Sequence, residues 1–531
     1  MLSSNCESLT DDLTSAQVLF ESGEYEDALK KGVELLGQSV SNPEIWKLIA
    51  EALYAKNGFA EASEAIQTAI SLSPSDTTAL LLLGKIQRSQ GKIPESIETF
   101  RSIIAIDEHC LTAMREMHNS ILRLGVLDTN SLIAETNKCI RLHEKSLIAD
   151  PTRIDLYYSL SHLYICMGRS SDSVILLTQL CNILPDCPTA KFNLAMAHKD
   201  SGRLDEALRL MREINPPTSD FAAKIGHSTA HMEIQKLNFS TGWELYEARW
   251  EDEHFPSKNL QELNKSIPQW NGEIVGSLLI WAEQGIGDEV MFSSVLVDAN
   301  SRCEVLTVAC DERLIPVFRR SFPSDINFVP KSSAAIKGVF DAQLPMGSLP
   351  KFFRRCLEDF STGERSFLKP DLAVVSKIRK NIAPAEREIV GISWFSNSTN
   401  HTRLIRNSAL KNLIDLVGNQ DRIFVCLQYG DVDEEIKSLE LDTDITVLNP
   451  DDIDQKLDIN NLCNLIAACD RVVSVDNVTV HLSGALGVPT TLLLPAYPDW
   501  RWGGREHGQS YWYPSLGFHE QSAPGRWPPL S

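Results

Sequence analysis

The sequence predicts an α + α/β protein, with a helical repeat solenoid leading into two doubly wound lobes. Three observations carry this prediction. A glycine or asparagine recurs at regular intervals through the first half of the chain. Short continuous apolar runs alternate with helical stretches through the second half, the pattern of parallel sheets covered on both faces. Near the C-terminus one such run opens into a polar turn and a small-residue helix: Arg471-Val-Val-Ser-Val-Asp476-Asn477-Val-Thr-Val-His481. A chain of 531 residues exceeds one ordinary core, so several domains are expected.

The repeat is read from Gly23, Asn57, Gly91, Gly125, Gly168 and Gly202, spaced by 34, 34, 34, 43 and 34 residues. Five positions after each stand Ala28, Ala62, Ser96, Asn130, Ser173 and Ala207, small in every case but the fourth. A glycine or asparagine between helices supplies a left-handed C-cap, and a small residue one turn later lets paired helices approach closely. Pro74, Pro151 and Pro185 fall at unit ends, where proline restarts the chain. The nine extra residues between Gly125 and Gly168 predict a lengthened or additional helix. A last, degenerate unit, Phe221 to Trp250, places Trp243, Tyr246 and Trp250 on one helical face, expected to be a seam onto the C-terminal half. The period resembles the tetratricopeptide repeat over residues 8–252. Such stacks form concave surfaces that usually bind peptides or proteins, or serve as plain scaffolds.

Residues 253–276 are polar, with Pro256, Pro268 and Gly272, and are expected to be an irregular linker. Strands are then predicted at Ser277–Ala282, Val305–Ala309, Ile326–Val329 and Phe340–Leu344, forming a lobe over 277–375. A second set, at Ile389–Phe395, Ile423–Gln428, Ile445–Leu448, Val472–Val475 and Thr490–Leu494, forms a lobe over 386–522. Two similar lobes imply a cleft between them, and in such sheets ligands bind outside the carboxyl ends of the strands.

Composition narrows the partners. With 43% hydrophobic and 23% charged residues the proportions are those of a soluble protein. The formal charge of −21 argues against a nucleic-acid partner, which needs Lys and Arg to displace counterions. Twelve cysteines without a C-x-x-C pair point to scattered thiols of a reducing compartment rather than disulfides or zinc. The N-terminus lacks the basic and apolar regions of a secretory signal, and no apolar run is long enough to span a membrane. A cytoplasmic location is expected.

Two stretches carry candidate chemistry. The first, Trp281-Ala-Glu283-Gln284-Gly285-Ile-Gly287-Asp288, reads as strand, glycine turn and helix start. It lacks the third glycine of a dinucleotide fingerprint. Asp288 suits an N-cap, or a general base facing the cleft. In the second stretch Asp476 can cap the helix. Asn477 and His481, four apart, add side-chain donors to a helix N-terminus that attracts phosphate; a packed helix histidine is the plainer reading of His481. Between the two stretches, the loop after Trp394 carries His401, Arg403 and Arg406, a basic loop facing solvent or a ligand. Asp431-Val-Asp433 sits in an acidic loop, and no metal role is expected of it. Trp500 and Trp502 could stack on a sugar or pack the lobes.

Together the two stretches resemble glycosyltransferase family nine, the heptosyltransferase-like group, over about residues 268–522. The arrangement is similar to that of bacterial tetratricopeptide proteins bearing such a C-terminal domain. That resemblance implies two Rossmann-like lobes of GT-B architecture and an inverting, metal-independent transfer from a nucleotide-sugar donor, with no further cofactor. It implies Asp288 as the base and Arg403 or Arg406 as stabiliser of the departing nucleotide. Asp476, Asn477 and His481 would contact the diphosphate and sugar, with Gly285, Gly287 and Gln428 lining the donor side. Asn477 stands where the heptosyltransferases have a hydroxyl residue, which leaves the donor's identity open. The repeats suggest a protein or peptide acceptor.

Overall fold

The computed structural model describes residues 2–530 except 108–109, 125–128, 254, 256, 333–337, 361–365, 384–386, 397–402, 419–421, 451, 506–507 and 524–525. The side chains of 2–8, 10, 122–124, 129–132, 259, 262–263 and 403–404 also fall outside that description. Its contacts form two compact units, Met1–Leu163 and Tyr164–Ser531.

The first unit pairs α1 (Leu2–Glu21) with α2 (Tyr25–Leu36), α3 (Pro43–Ala55) with α4 (Phe59–Leu72), and α5 (Thr77–Ser89) with α6 (Ile93–Ile106). Helices α7 (Leu111–Leu124) and α8 (Thr129–Ala149) follow, and α9 (Ile154–Cys166) crosses the division. The second unit continues with α10 (Ser170–Ile183), α11 (Pro188–Lys199), α12 (Leu204–Glu213), α13 (Ser219–Gln235) and α14 (Phe239–Tyr246). The expected boundary at 252 is not where compactness changes, because α13 and α14 share a core with the sheets.

The recurring slot is a Schellman turn. Gly23, Asn57, Gly91, Gly168 and Gly202 have φ of 86°, 62°, 79°, 69° and 76°. The next residue donates its N–H back five positions, Glu24 to Leu19 O at 2.9 Å and Lys92 to Gln87 O at 2.9 Å. Ala28, Ala62, Ser96, Ser173 and Ala207 are wholly buried where the paired helices meet. Gly125 lies outside the described residues; the insertion beside it is absorbed by α8, 21 residues long against 14 in α6 and in α10. The degenerate unit obeys the same rule. Leu237 takes the turn with φ 64°, Asn238 donates to Glu233 O at 2.8 Å, and Gly242 fills the small-residue slot against Ile234.

The expected linker is partly ordered structure. It holds α15 (Lys258–Asn264), and Trp270 N–H donates to Gln343 O at 2.8 Å. The first lobe is a parallel sheet of β1 (Val275–Trp281), β2 (Cys303–Cys310), β3 (Asn327–Pro330) and β4 (Ala342–Pro345), in the order β3-β2-β1-β4. Helices α16 (Ile286–Ser293), α17 (Leu296–Asn300), α18 (Ile315–Ser321) and α19 (Pro350–Phe353) connect and flank it. Helix α20 (Leu372–Ile382) bonds forward instead: Asp371 N–H donates to Asn464 Oδ1 and Arg379 to Ala468 O, both at 2.8 Å. The chain therefore leaves the first lobe before Asp371, ahead of the expected 375.

The second lobe holds β5 (Glu388–Ser393), α21 (Arg403–Arg406), α22 (Leu410–Val417), β6 (Arg422–Cys426), α23 (Asp433–Asp442) and β7 (Val447–Leu448). It continues with α24 (Ile459–Ala468), β8 (Arg471–Val475), α25 (Val478–Ala485), β9 (Thr490–Leu494) and β10 (Leu516–Glu520). All its strands are parallel, in the order β10-β9-β8-β5-β6-β7. Strand β10 was not among the predicted runs, because Gly517, His519 and Glu520 break its apolar pattern. Direction along the sheet reverses between β5 and β8, the position at which doubly wound sheets open a crevice.

The predicted aromatic seam packs as expected. Trp243 donates from Nε1 to Arg354 O at 2.8 Å and meets Phe292 and Trp512 edge-on. Trp250 lies against Trp281, with ring centroids 5.4 Å apart. Among the described residues no helix is long and apolar enough to cross a membrane.

Candidate functional site

The crevice between β5 and β8 is built first by two buried amides. Gln428 Oε1 accepts from Ser393 Oγ at 2.9 Å and from the N–H groups of Trp394 and Phe395 at 3.0 Å each. Asn477 caps α25, accepting from Thr479 N–H at 3.0 Å. Its Nδ2 donates to Ser393 Oγ at 2.8 Å and to Phe395 O at 3.1 Å. Both amides were expected at the donor, yet their bonds are made inside the protein. They shape the crevice floor by pinning the exit of β5 to the start of α25.

Beside that floor, Arg406 Nη1 lies 3.9 Å from Asp476 Oδ2. Arg406 is 8% exposed, and its Nε and Nη2 are buried with no hydrogen-bond partner among the described residues. Leaving such groups unpaired costs roughly 1–3 kcal/mol each, more for a charged one. Burial pushes the Asp476 carboxyl above its ordinary range, and the Arg406 charge pulls it back. The Arg403 side chain and all of His401 lie outside the described residues.

The first lobe brings its glycine turn to α25. Gly285 is the N-cap of α16 with φ −75°, an ordinary conformation. Gly287 is needed for space, since a Cβ there would sit 2.8 Å from His481 Cδ2. His481 is 5% exposed, its Nδ1 is 2.9 Å from Tyr513 OH, and its ring centroid is 5.4 Å from that of Trp502. Burial first, then the Arg501 charge, lowers its pKa to about 3, so the imidazole is neutral. His481 thus packs on Gly287, while Asn477, as the cap, faces Ser393. The two do not form one face.

Asp288 stands in the first turn of α16. Its Oδ1 accepts from Arg501 Nε at 2.8 Å and again from Nη2. Arg501 also donates from Nη1 to Asp499 at 2.6 Å, and its guanidinium lies 4.6 Å over Trp500. Trp500 in turn stacks on His231 of α13, with 5.2 Å between centroids and 8° between planes. Trp500 and Trp502 are therefore packing residues, 3% and 0% exposed.

Sequence reasoning passed over Arg501 and the repeat residues behind the glycine turn. Arg249, wholly buried, reaches Glu283 at 3.2 Å and Ser348 at 2.8 Å. Gln284 donates to the hydroxyl of Tyr246. The available signal was a charged residue amid buried aromatics, in Asp499-Trp-Arg501-Trp and in Tyr246-Glu-Ala-Arg249-Trp. Elsewhere, Asp433 starts α23 and accepts from Asn449 at 3.0 Å. No cluster of three or more potential metal ligands occurs among the described residues. Burial pushes the thiols of Cys166, Cys463 and Cys469 up to about 12, so they are poor nucleophiles.

Comparison with known proteins places the repeats. Residues 47–109 match the family model for the tetratricopeptide repeat. Protein FlbA of Caulobacter vibrioides is 26% identical over 533 aligned positions, covering 95% of this chain and 86% of that protein. A thermophilic TPR protein of Thermus thermophilus is 20% identical over 34% of this chain and 96% of its own, with a TM-score of 0.30. A tetratricopeptide repeat protein of Parabacteroides merdae is 12% identical over 49% of this chain and 98% of its own, with a TM-score of 0.38. This chain carries tetratricopeptide repeats in its N-terminal part, matched over residues 47–109.

Proposed function

We propose that the chain is a glycosyltransferase that moves a sugar from a nucleotide-sugar donor to an acceptor held by the repeats. The observation carrying this reading is Arg406, a buried guanidinium with two unpaired N–H-bearing nitrogens beside Asp476, where the strand order reverses. A phosphate ester would satisfy both, and such a crevice is where doubly wound sheets take nucleotides. The acceptor oxygen forms its bond to the anomeric carbon as the bond from that carbon to the phosphate oxygen breaks. The acceptor proton passes to Asp288, and the electron pair leaves with the nucleotide, whose charge Arg406 stabilises. Tetratricopeptide repeats commonly bind proteins or peptides, so a protein acceptor suits them.

A second reading is a scaffold whose α/β lobes do not turn over. It draws on Asp288 being tied to Arg501 and on the spent amides of Gln428 and Asn477. Thermal unfolding of the full chain with a panel of nucleotide sugars and nucleoside phosphates separates the two. A ligand-dependent rise, with donor consumption that Asp288→Ala abolishes while the rise persists, supports the transferase. No rise with any ligand favours the scaffold. Donor consumption unchanged in Asp288→Ala removes that residue as the base.

A further inference from the structure

Arg501 is the cation most committed to the cleft, and its partner is the residue the proposed reaction needs free. It holds Asp288 of the first lobe through two nitrogens and Asp499 through a third. Its charge also acts on the buried Asp476 and His481. Two guanidinium nitrogens on the one oxygen Oδ1 hold the Asp288 carboxylate against Arg501. The resting arrangement therefore ties to a cation the residue given the role of base. Arg406 has two buried nitrogens without a hydrogen-bond partner among the described residues, whereas Arg501 is paired with two carboxylates.

We infer that Asp288 occupies on Arg501 the place of a substrate phosphate, so that binding a phosphate ester draws Arg501 away and frees Asp288 for the acceptor. This exchange rests on the transferase reading and adds regulation to it, because the base becomes available only when a donor is seated. Arg501 is suited to the exchange. It lies in a short 3-10 turn, Trp500–Trp502, fixed by the stack of Trp500 on His231 and by Gly503, whose missing Cβ would fall 2.5 Å from Gln235 O. The turn is held, while the side chain itself is 19% exposed. Its planar fork matches a phosphate as well as a carboxylate.

The exchange makes a prediction that a static ion pair does not. Removing the competing carboxylate should tighten phosphate binding even as it removes the base. Titration calorimetry on the full chain would use UDP, GDP, CDP and ADP, the matching monophosphates, and inorganic pyrophosphate. The probe that binds the wild type should bind Asp288→Asn on the order of tenfold more tightly, and Arg501→Gln on the order of tenfold more weakly. Arg501→Lys, which keeps the charge without the fork, should fall between. Equal or weaker binding by Asp288→Asn overturns the exchange while leaving the transferase reading standing. Binding of no probe by either the wild type or Asp288→Asn overturns both. Should Arg501→Gln fail to fold, the Asp288→Asn comparison decides alone.

Discussion

The Cβ that Gly287 lacks would lie 2.8 Å from His481 Cδ2, so the glycine turn of one lobe and α25 of the other touch where no other residue fits. Gly285, two residues earlier, has an ordinary φ, and its nearest neighbour would be Asp288 Oδ2 at 3.9 Å. Gly287→Ala should cost about 1–3 kcal/mol through overpacking. Gly285→Ala should stay within about 0.5 kcal/mol. Urea unfolding of the two variants measures the contrast, and equal costs would mean that the lobes do not close on His481.

The repeat turns allow the same separation of backbone from packing. Gly91 has φ 79°, and an added Cβ would meet nothing within 4 Å, so Gly91→Ala carries only the left-handed penalty, about 1 kcal/mol. At Gly84 the Cβ would fall 2.6 Å from the wholly buried ring of Phe100, so Gly84→Ala should cost more, about 1–3 kcal/mol of overpacking. Asn57→Gly should be mildly stabilising, since Asn57 carries part of the same penalty at φ 62°. Denaturant midpoints at constant slope would rank the three.

Local rules made the fold readable. Thirty-four-residue spacing, continuous apolar strands and turn glycines are written in neighbouring residues, and every strand except the unpredicted β10 falls within a few residues of a predicted run. The last repeat was legible only as a degenerate unit because leucine stands in its turn, although Gly242 five positions on kept the small-residue slot. Within the site, Asp288 and Asp476 stand near the helix starts, but neither is the N-cap the sequence suggested: Gly285 caps α16 and Asn477 caps α25. What could not be read was which polar groups were already spoken for. Gln428 and Asn477 satisfy backbone and hydroxyl groups contributed by β5, more than thirty and eighty residues away. Arg501 meets Asp288 across 213 positions, a pairing set by lobe packing that no local pattern encodes.

His481 predicts acid sensitivity of a definite sign. Its pKa falls from an ordinary 6.5 to about 3 in the folded protein, so the unfolded chain binds a proton that the folded chain refuses. Its contribution is therefore whole above 6.5 and is lost as pH falls below that value. The groups facing it are the Tyr513 hydroxyl and the charges of Arg501 and Asp499. Each pH unit below that point should remove about 1.4 kcal/mol through this one group. Stability curves for wild type and His481→Gln, measured between about pH 7.5 and pH 5, should differ in slope by close to one proton. Parallel curves would show that His481 titrates normally.

Arg406 predicts opposite signs for stability and binding. Its guanidinium is buried with Nε and Nη2 unpaired, and its charged neighbour Asp476 stands 3.9 Å away, beyond hydrogen-bonding distance. Holding it there costs folding free energy that a bound anion would recover. Arg406→Met, which keeps an unbranched apolar stem, should raise the stability of the ligand-free protein by about 1 kcal/mol or leave it unchanged. Asp476 then loses its nearest positive charge and, being buried, becomes easier to protonate, which limits the gain near neutral pH. The same substitution should abolish the rise in unfolding temperature produced by a nucleoside phosphate. A residue that only stabilised the fold would do the reverse, lowering the melting temperature while leaving the ligand-induced increment intact. Measuring both quantities on one variant therefore decides whether Arg406 is a strut of the second lobe or the group kept unpaired for a phosphate.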